Sequence, residues 1–301
     1  MTKQMKADIM LLMVTLFWGI SYWLVDLSLA EVRPFMLNAL RFLIAFFVAG
    51  ALAFPKLKTV NKATLKYSAL IGVALLFVYI GATFGVRYTS LSNAGFLCAL
   101  TVVITPVLAF ALLKQKPEKK LAVAVLMCLI GISLLTLKEN AIQLALGDLL
   151  CIMAAFAYAV DLLITETAVK KEEVNAFQLG VFQLGFTGIY NLVLAFLIET
   201  PALPKSASVW SAVLFLSIFC TGAAFIAQAV AQQYTSASHV GVIFSLEPVF
   251  AGFVAFFLAG EILTTQAYIG AAILVSSLFI MELDLPKLLQ KLLNRLIQSE
   301  R

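Results

Sequence analysis

Asp161 stands in the middle of a long apolar run, three residues after Tyr158 and four before Thr165. A helix carries all three on one face. An ionisable group is costly inside an apolar segment and is kept there where it meets a partner, a cavity or an ion path. Two readings suit this face: it lines a polar cavity that takes an amine or a proton, or it bridges to a neighbouring helix. Glu247 precedes Pro248 in another apolar run. Proline removes a backbone donor and bends or unwinds its helix. An acid beside such a break suits a proton or coupling-ion site, and it suits a structural role equally. Asp26 and Glu166 lie near the ends of their runs. Pairing with Arg33, Arg41, Arg87 or Lys170 would make them gates; solvation at the membrane interface is the plainer reading. Arg41, flanked by apolar residues, reads as one arm of a salt bridge or as an internal anchor.

Aromatic and amide side chains recur at helical spacing. Trp18 and Tyr22, Tyr79 and Thr83, and the trio Phe225, Gln228 and Gln232 each share a helix face. With Tyr158 they can form a hydrogen-bonding aromatic pocket, a setting that holds cations; packing against the core or lipid is the alternative. Asn93 and His239 each follow a very tight connection at the start of a helix, as caps or as part of a positive helix end facing substrate. His239 is also a candidate proton relay. The expected substrate-binding set is therefore Trp18, Tyr22, Tyr79, Asn93, Tyr158, Asp161, Phe225, Gln228 and Gln232, with Asp161, Glu247 and His239 as coupling candidates.

These residues must be positioned by elements suited to lipid. Of the 301 residues 62% are hydrophobic and 12% charged, where soluble domains average about 45–50% and about 25%. A span takes about 20 mostly apolar residues. Segments of that kind lie near 7–29, 34–54, 67–88, 92–113, 119–137, 147–169, 175–198, 209–233, 238–259 and 265–283. Most of the 21 Lys and Arg residues fall on one side of this arrangement: Lys3 and Lys6, Lys56 to Lys66, Lys114 to Lys120, Lys170 and Lys171, and the tail. By the charge bias of membrane proteins that side is cytoplasmic, with both termini on it, in the cell membrane. The net charge of +5 is thus a matter of topology, and no nucleic-acid partner is expected. Residues 286–301 have leucines at helical spacing among Lys287, Lys291 and Arg295, and read as a basic amphipathic helix on the inner leaflet.

The chain repeats itself. The stretch from Ala7 resembles that from Gly147, which pairs Asp8 with Asp148, Trp18 with Tyr158 and Asp26 with Glu166. YTSLSNAG at 88–95 resembles YTSASHVG at 234–241 and pairs Asn93 with His239. Five helices per repeat place the second copy upside down relative to the first. The expected units are residues 1–140, residues 141–285, and the tail. Inverted repeats can rock about a central site and expose it to each side in turn.

Five segments carry a family likeness: LFWGISYWLVDLSL at 16–29, LNALRFLIA at 37–45, YTSLSNAGFLCAL at 88–100, TPVLAFALL at 105–113 and the stretch 234–263. On these the chain resembles the EamA-type, ten-helix class of the drug/metabolite transporter superfamily. The resemblance implies an all-helical integral membrane fold and secondary transport, often export, of amino acids, other metabolites or drugs. It also implies a cavity lined by the first, third, fourth, sixth, eighth and ninth spans. Members often carry a glutamate after the fourth span, where this chain has Gln115; the counterpart in the second half, Glu261, is present.

The expected partners are a small-molecule substrate, the lipid bilayer and a proton or cation, with the chain a monomer or homodimer. Direction is open between exporter and importer or facilitator. A lipid flippase would need a cavity open sideways. A membrane enzyme or scaffold is disfavoured, because no phosphate loop, HExxH, GxSxG or base–nucleophile pair occurs. No cofactor or metal is expected. Cys98, Cys128, Cys151 and Cys220 are scattered through apolar runs, without a CxxC pair.

Overall fold

The computed structural model describes residues 2–89, 91–136, 146–259 and 264–282. The tail, Lys138 and Glu261 lie outside them, as does the centre of the link between the expected repeats. Helices dominate, and no strand occurs among the described residues. In order they are α1 (Lys3–Leu29), α2 (Pro34–Leu57), α3 (Lys62–Tyr88), α4 (Leu91–Ala99), α5 (Thr101–Leu113), α6 (Lys119–Thr136), α7 (Leu146–Val169), α8 (Ala176–Ile198), α9 (Ala207–Ser217), α10 (Ala224–Ala231), α11 (Ala237–Phe244), α12 (Glu247–Ala259) and α13 (Thr265–Glu282). Helix therefore occupies each of the ten expected segments. Eight helical stretches are long and apolar enough to cross a membrane, and Thr265–Met281 is a shorter apolar helix.

Local chemistry sets the helix limits. Side-chain oxygens of Thr2, Asn61, Asn175, Ser206 and Ser236 each accept from a backbone N–H in the first turn of the helix that follows. Pro34 opens α2, where a missing N–H costs nothing. A π-helical turn, Ile218–Ala223, separates α9 from α10. A break at Ser245 and Leu246 separates α11 from α12, and Pro248 sits in the first turn of α12. The expected interruption beside Glu247 is thus present just ahead of it.

Large apolar side chains such as Leu52, Phe54, Leu112 and Phe196 point outward. Lipid offers no hydrophobic drive for helix pairing, so close contact between small residues must supply it. The α3–α7 seam does this: a Cβ on Gly81 would stand 2.4 Å from the Leu150 carbonyl oxygen, and one on Gly85 would meet Cys151 Sγ at 2.5 Å. The GxxxG spacing thus marks a direct backbone approach.

The lysine-rich connections meet at one end of the bundle. There Gln178 Nε2 donates to the Lys56 carbonyl (2.7 Å), Lys120 Nζ donates to the Met281 carbonyl (2.7 Å), and Lys171 lies over the Tyr67 ring (6.0 Å). At the opposite end two glutamates clasp helix starts. Glu199 accepts from the Phe35 and Met36 N–H groups, 3.0 Å each, at the start of α2. Glu31 accepts from Lys205 and Ser206 N–H at 2.7 and 3.0 Å, just ahead of α9.

Candidate functional site

Between the two ends lies a cavity of about 160 Å³. Its wall draws on α1 (Trp18, Ser21, Val25), α2 (Arg41), α3 (Tyr79, Thr83), α4–α5 (Cys98, Thr101), α7 (Ala154, Tyr158), α10 (Phe225) and the α11–α12 break (Phe244, Ser245, Glu247, Pro248). Helical periodicity explains the α1 set, since positions i, i+3 and i+7 share a face.

The rings form a continuous box. Trp18 packs on Phe244 at 4.7 Å between centroids, and on Tyr158 and Phe225 at 5.8 Å each. Tyr158 stacks on Phe244, with an interplanar angle of 5°. Phe42 meets Tyr79 edge to face at 4.8 Å. The indole N–H of Trp18 donates to the Cys220 carbonyl in the π turn at 2.8 Å, so the ring is fixed as well as packed.

Arg41 is the basic member of the wall and only 4% exposed. Its Nε donates to Thr221 Oγ1 at 2.8 Å, and its guanidinium carbon lies 4.8 Å from the Tyr79 ring centroid. It is held by a hydroxyl and a ring; among the described residues no carboxylate lies within ion-pair distance. Glu247 borders the same cavity.

Behind the rings lies a buried polar layer. The Tyr158 hydroxyl donates to Gln228 Oε1 at 2.8 Å. Gln228 Nε2 donates to Asp161 Oδ2 at 2.9 Å. Gln232 Nε2 donates to the Leu162 carbonyl at 2.8 Å. Asp161 is fully buried, and its Oδ1 takes no hydrogen bond among the described residues. Asp161, Gln228 and Gln232 therefore reach the cavity through Tyr158 instead of forming its wall.

The remaining candidates lie toward the ends. Glu166 is buried; its Oε2 accepts from Ala237 N–H at 2.7 Å, and its Oε1 accepts from Lys170 and Gln115. It is a salt-bridged cap that ties α7 to the start of α11. Asp26 is exposed and borders a second pocket of about 660 Å³ at the lysine-poor end, together with Arg33, Glu199 and Thr83. His239 is not the cap of α11, since Ser236 fills that role; its imidazole meets Asp8 instead. The side chains of Tyr22, Arg87 and Asn93 lie outside the described set. Sequence reasoning missed Phe42, Phe244, Ser21 and Thr221. Spacing from Trp18 points to Ser21 and proximity to Glu247 points to Phe244, but nothing in the residue pattern marks Thr221.

The EamA-like transporter family matches this chain twice, at residues 5–137 and 145–283. The chain belongs to that family. It is similar to an "uncharacterized transporter" of Archaeoglobus fulgidus, with 28% identity over 281 residues that cover 93% of this chain and 87% of the relative. A relative in Bacillus subtilis, "uncharacterized transporter YetK", is 26% identical and covers 92% and 87%. A solved structure titled "Crystal structure of protein" shares the fold, with a TM-score of 0.77 at 20% identity over 92% of this chain and 96% of that one. This EamA-like chain is a multi-pass membrane transporter rather than an enzyme.

Proposed function

We propose that this EamA-like protein is a secondary transporter that carries a small amphipathic metabolite (an amino acid, an amine or a drug-like molecule) by alternating access, with export as its direction and a proton as its coupling ion. The reading includes ten spans as two inverted five-helix repeats, residues 1–140 and 141–285, with both termini in the cytoplasm. The double family match supports the repeat. The observation that carries the function is the cavity: aromatic walls with Arg41 and Glu247 on one chamber, and Asp161 two hydrogen bonds behind the Tyr158 hydroxyl, through Gln228. Rings suit an apolar or cationic group, Arg41 suits a carboxylate, and the free Asp161 oxygen suits a proton.

A thermal-shift screen of purified protein against amines, amino acids, nucleobases and vitamins tests this. A true ligand stabilises by RT ln(1 + [L]/Kd), about 2.7 kcal/mol at a hundred times Kd. Asp161→Asn should keep the fold and abolish proton-driven flux of the hit in vesicles; flux at the wild-type rate would remove Asp161 from the mechanism.

A further inference from the structure

Asp8 and Asp148 are sequence mates in the two expected repeats, and each touches the tight connection of the other repeat. Asp8, near the start of α1, is buried, and its Oδ1 lies 3.2 Å from His239 Nε2 in the first turn of α11. Asp148, in the first turn of α7, accepts from Thr89 Oγ1 at 2.5 Å, at the end of α3. Beside it Gly147 brings α7 so close that a Cβ would stand 2.6 Å from Thr89 N. The first contact lies at the lysine-rich end, where Lys3 covers the Tyr234 ring at 5.5 Å. The second lies at the other end. The two contacts thus bracket the central cavity, one per end, and each joins the two halves.

Their chemistry differs. The Thr89–Asp148 bond has a hydroxyl donor that does not titrate. The Asp8–His239 contact joins a carboxylate to an imidazole, the side chain whose charge changes near neutral pH. Neither Asp8 oxygen takes a hydrogen bond from a described residue, His239 included, so the 3.2 Å ionic approach of the imidazole is what compensates this buried acid.

We infer that Asp8 and Asp148 latch opposite ends of the transport path, and that the Asp8–His239 latch is a protonation site which governs opening at the lysine-rich end. The inference rests on the alternating-access reading. Opening an end requires the connection there to leave the opposite repeat, and these contacts are what it must break. Below the latch a polar pocket of about 610 Å³ leads out past His239. The charged groups that face His239 are Asp8 on α1, Lys116 and Glu118 between α5 and α6, Lys120 on α6, and Lys170 just after α7, the last neutralised by Glu166. With the imidazolium present, the contact is an ion pair; once His239 loses its proton that attraction between opposite charges is gone. Rising pH through the imidazole range, about 6.5 for an unperturbed group, therefore loosens the lysine-rich end.

Cys98 is a native reporter, because it lines the cavity while Cys128, Cys151 and Cys220 are buried. Its labelling by a membrane-impermeant maleimide is measured in vesicles of each orientation, with Cys98→Ser as the blank. Asp8→Asn and His239→Gln should each raise labelling from the lysine-rich side about tenfold, a typical coupling between sites, and the double variant should equal either single one. Asp148→Asn should raise it from the other side only. In the wild type, labelling from the lysine-rich side should climb with pH, and His239→Gln should flatten that climb. Equal gains from both sides, or no gain with an unchanged melting point, would overturn the latch. The readout needs no substrate, so the two readings fail separately. Side-selective labelling without flux of any solute would reject transport and keep the latch. Flux with unselective labelling would do the reverse.

Discussion

The seam between α3 and α7 and the seam between α1 and the α9–α10 pair stand at matched places in the two expected repeats, yet they are built from different material. The first is a backbone-to-backbone contact made by Gly81, Gly85, Gly147 and Ala154. The second is made of side chains around a π turn: Trp18 on the Cys220 carbonyl and Phe17 against Phe215 and Phe219, with Arg41 of α2 on Thr221 beside them. Backbone contact at van der Waals distance leaves no room to slide, whereas a seam of rings and long side chains can repack. The proposed alternating access would then pivot on the glycine seam and adjust along the aromatic one.

Alanine at the two kinds of glycine gives the largest expected contrast. At Gly81 a methyl group would sit 2.4 Å from a carbonyl oxygen that belongs to the α7 backbone. Gly81→Ala should lower stability by about 3 kcal/mol, at the top of the usual overpacking range, and be read as an early melting transition in detergent. At Gly222, in the π turn, the nearest atoms would be the Ser217 carbonyl oxygen at 3.2 Å and Ala45 Cβ at 3.3 Å. Gly222→Ala should cost under ~1 kcal/mol by small shifts of those neighbours. Equal losses at the two sites would end the distinction between the seams.

Trp18→Phe comes next in size. It leaves a ring in the box but removes the donor to the Cys220 carbonyl, and a buried group left unpaired costs about 1–3 kcal/mol. Melting of the variant beside the wild type reads this directly, and an unchanged midpoint would show that the π turn does not depend on the indole.

The smallest effect belongs to Glu31 at the lysine-poor end. Hydrogen bonds from the Ser206 side chain and backbone, then from the Lys205 backbone, hold its carboxyl below the ordinary 4.5. A carboxyl lowered in the folded state adds stability that is complete above the unfolded value and is lost as pH falls through the folded one. The α8–α9 loop should therefore loosen only below about pH 4.5, and Glu31→Gln should remove that acid dependence in hydrogen exchange of the Ser206 amide.

The helical architecture was plain in the residues because each segment is a long apolar run closed by lysines, prolines or a cap. Trp18, Tyr79, Tyr158 and Phe225 were readable as a cavity wall because spacing along a helix fixes which side chains share a face. What spacing within one helix omits is the partner on another. That is why Thr221 under Arg41, Glu199 on the start of α2 and Glu166 on Ala237 N–H came only with the structure. His239 shows the same limit: its place at a helix start suggested a cap, while Ser236 three residues earlier had the oxygen nearer the orphan N–H groups.

The π turn also makes this helix a matter of phase. One residue added to a turn rotates everything after it by about 100° relative to everything before. Leu214 upstream of the turn and Phe219 at its start face outward, and beyond it Phe225 and Gln228 face inward. Deleting a single residue there would leave composition and hydropathy almost unchanged. It would nonetheless swing Phe225 out of the chamber and carry Gln228 away from Asp161, which severs the wall from its acid in one step.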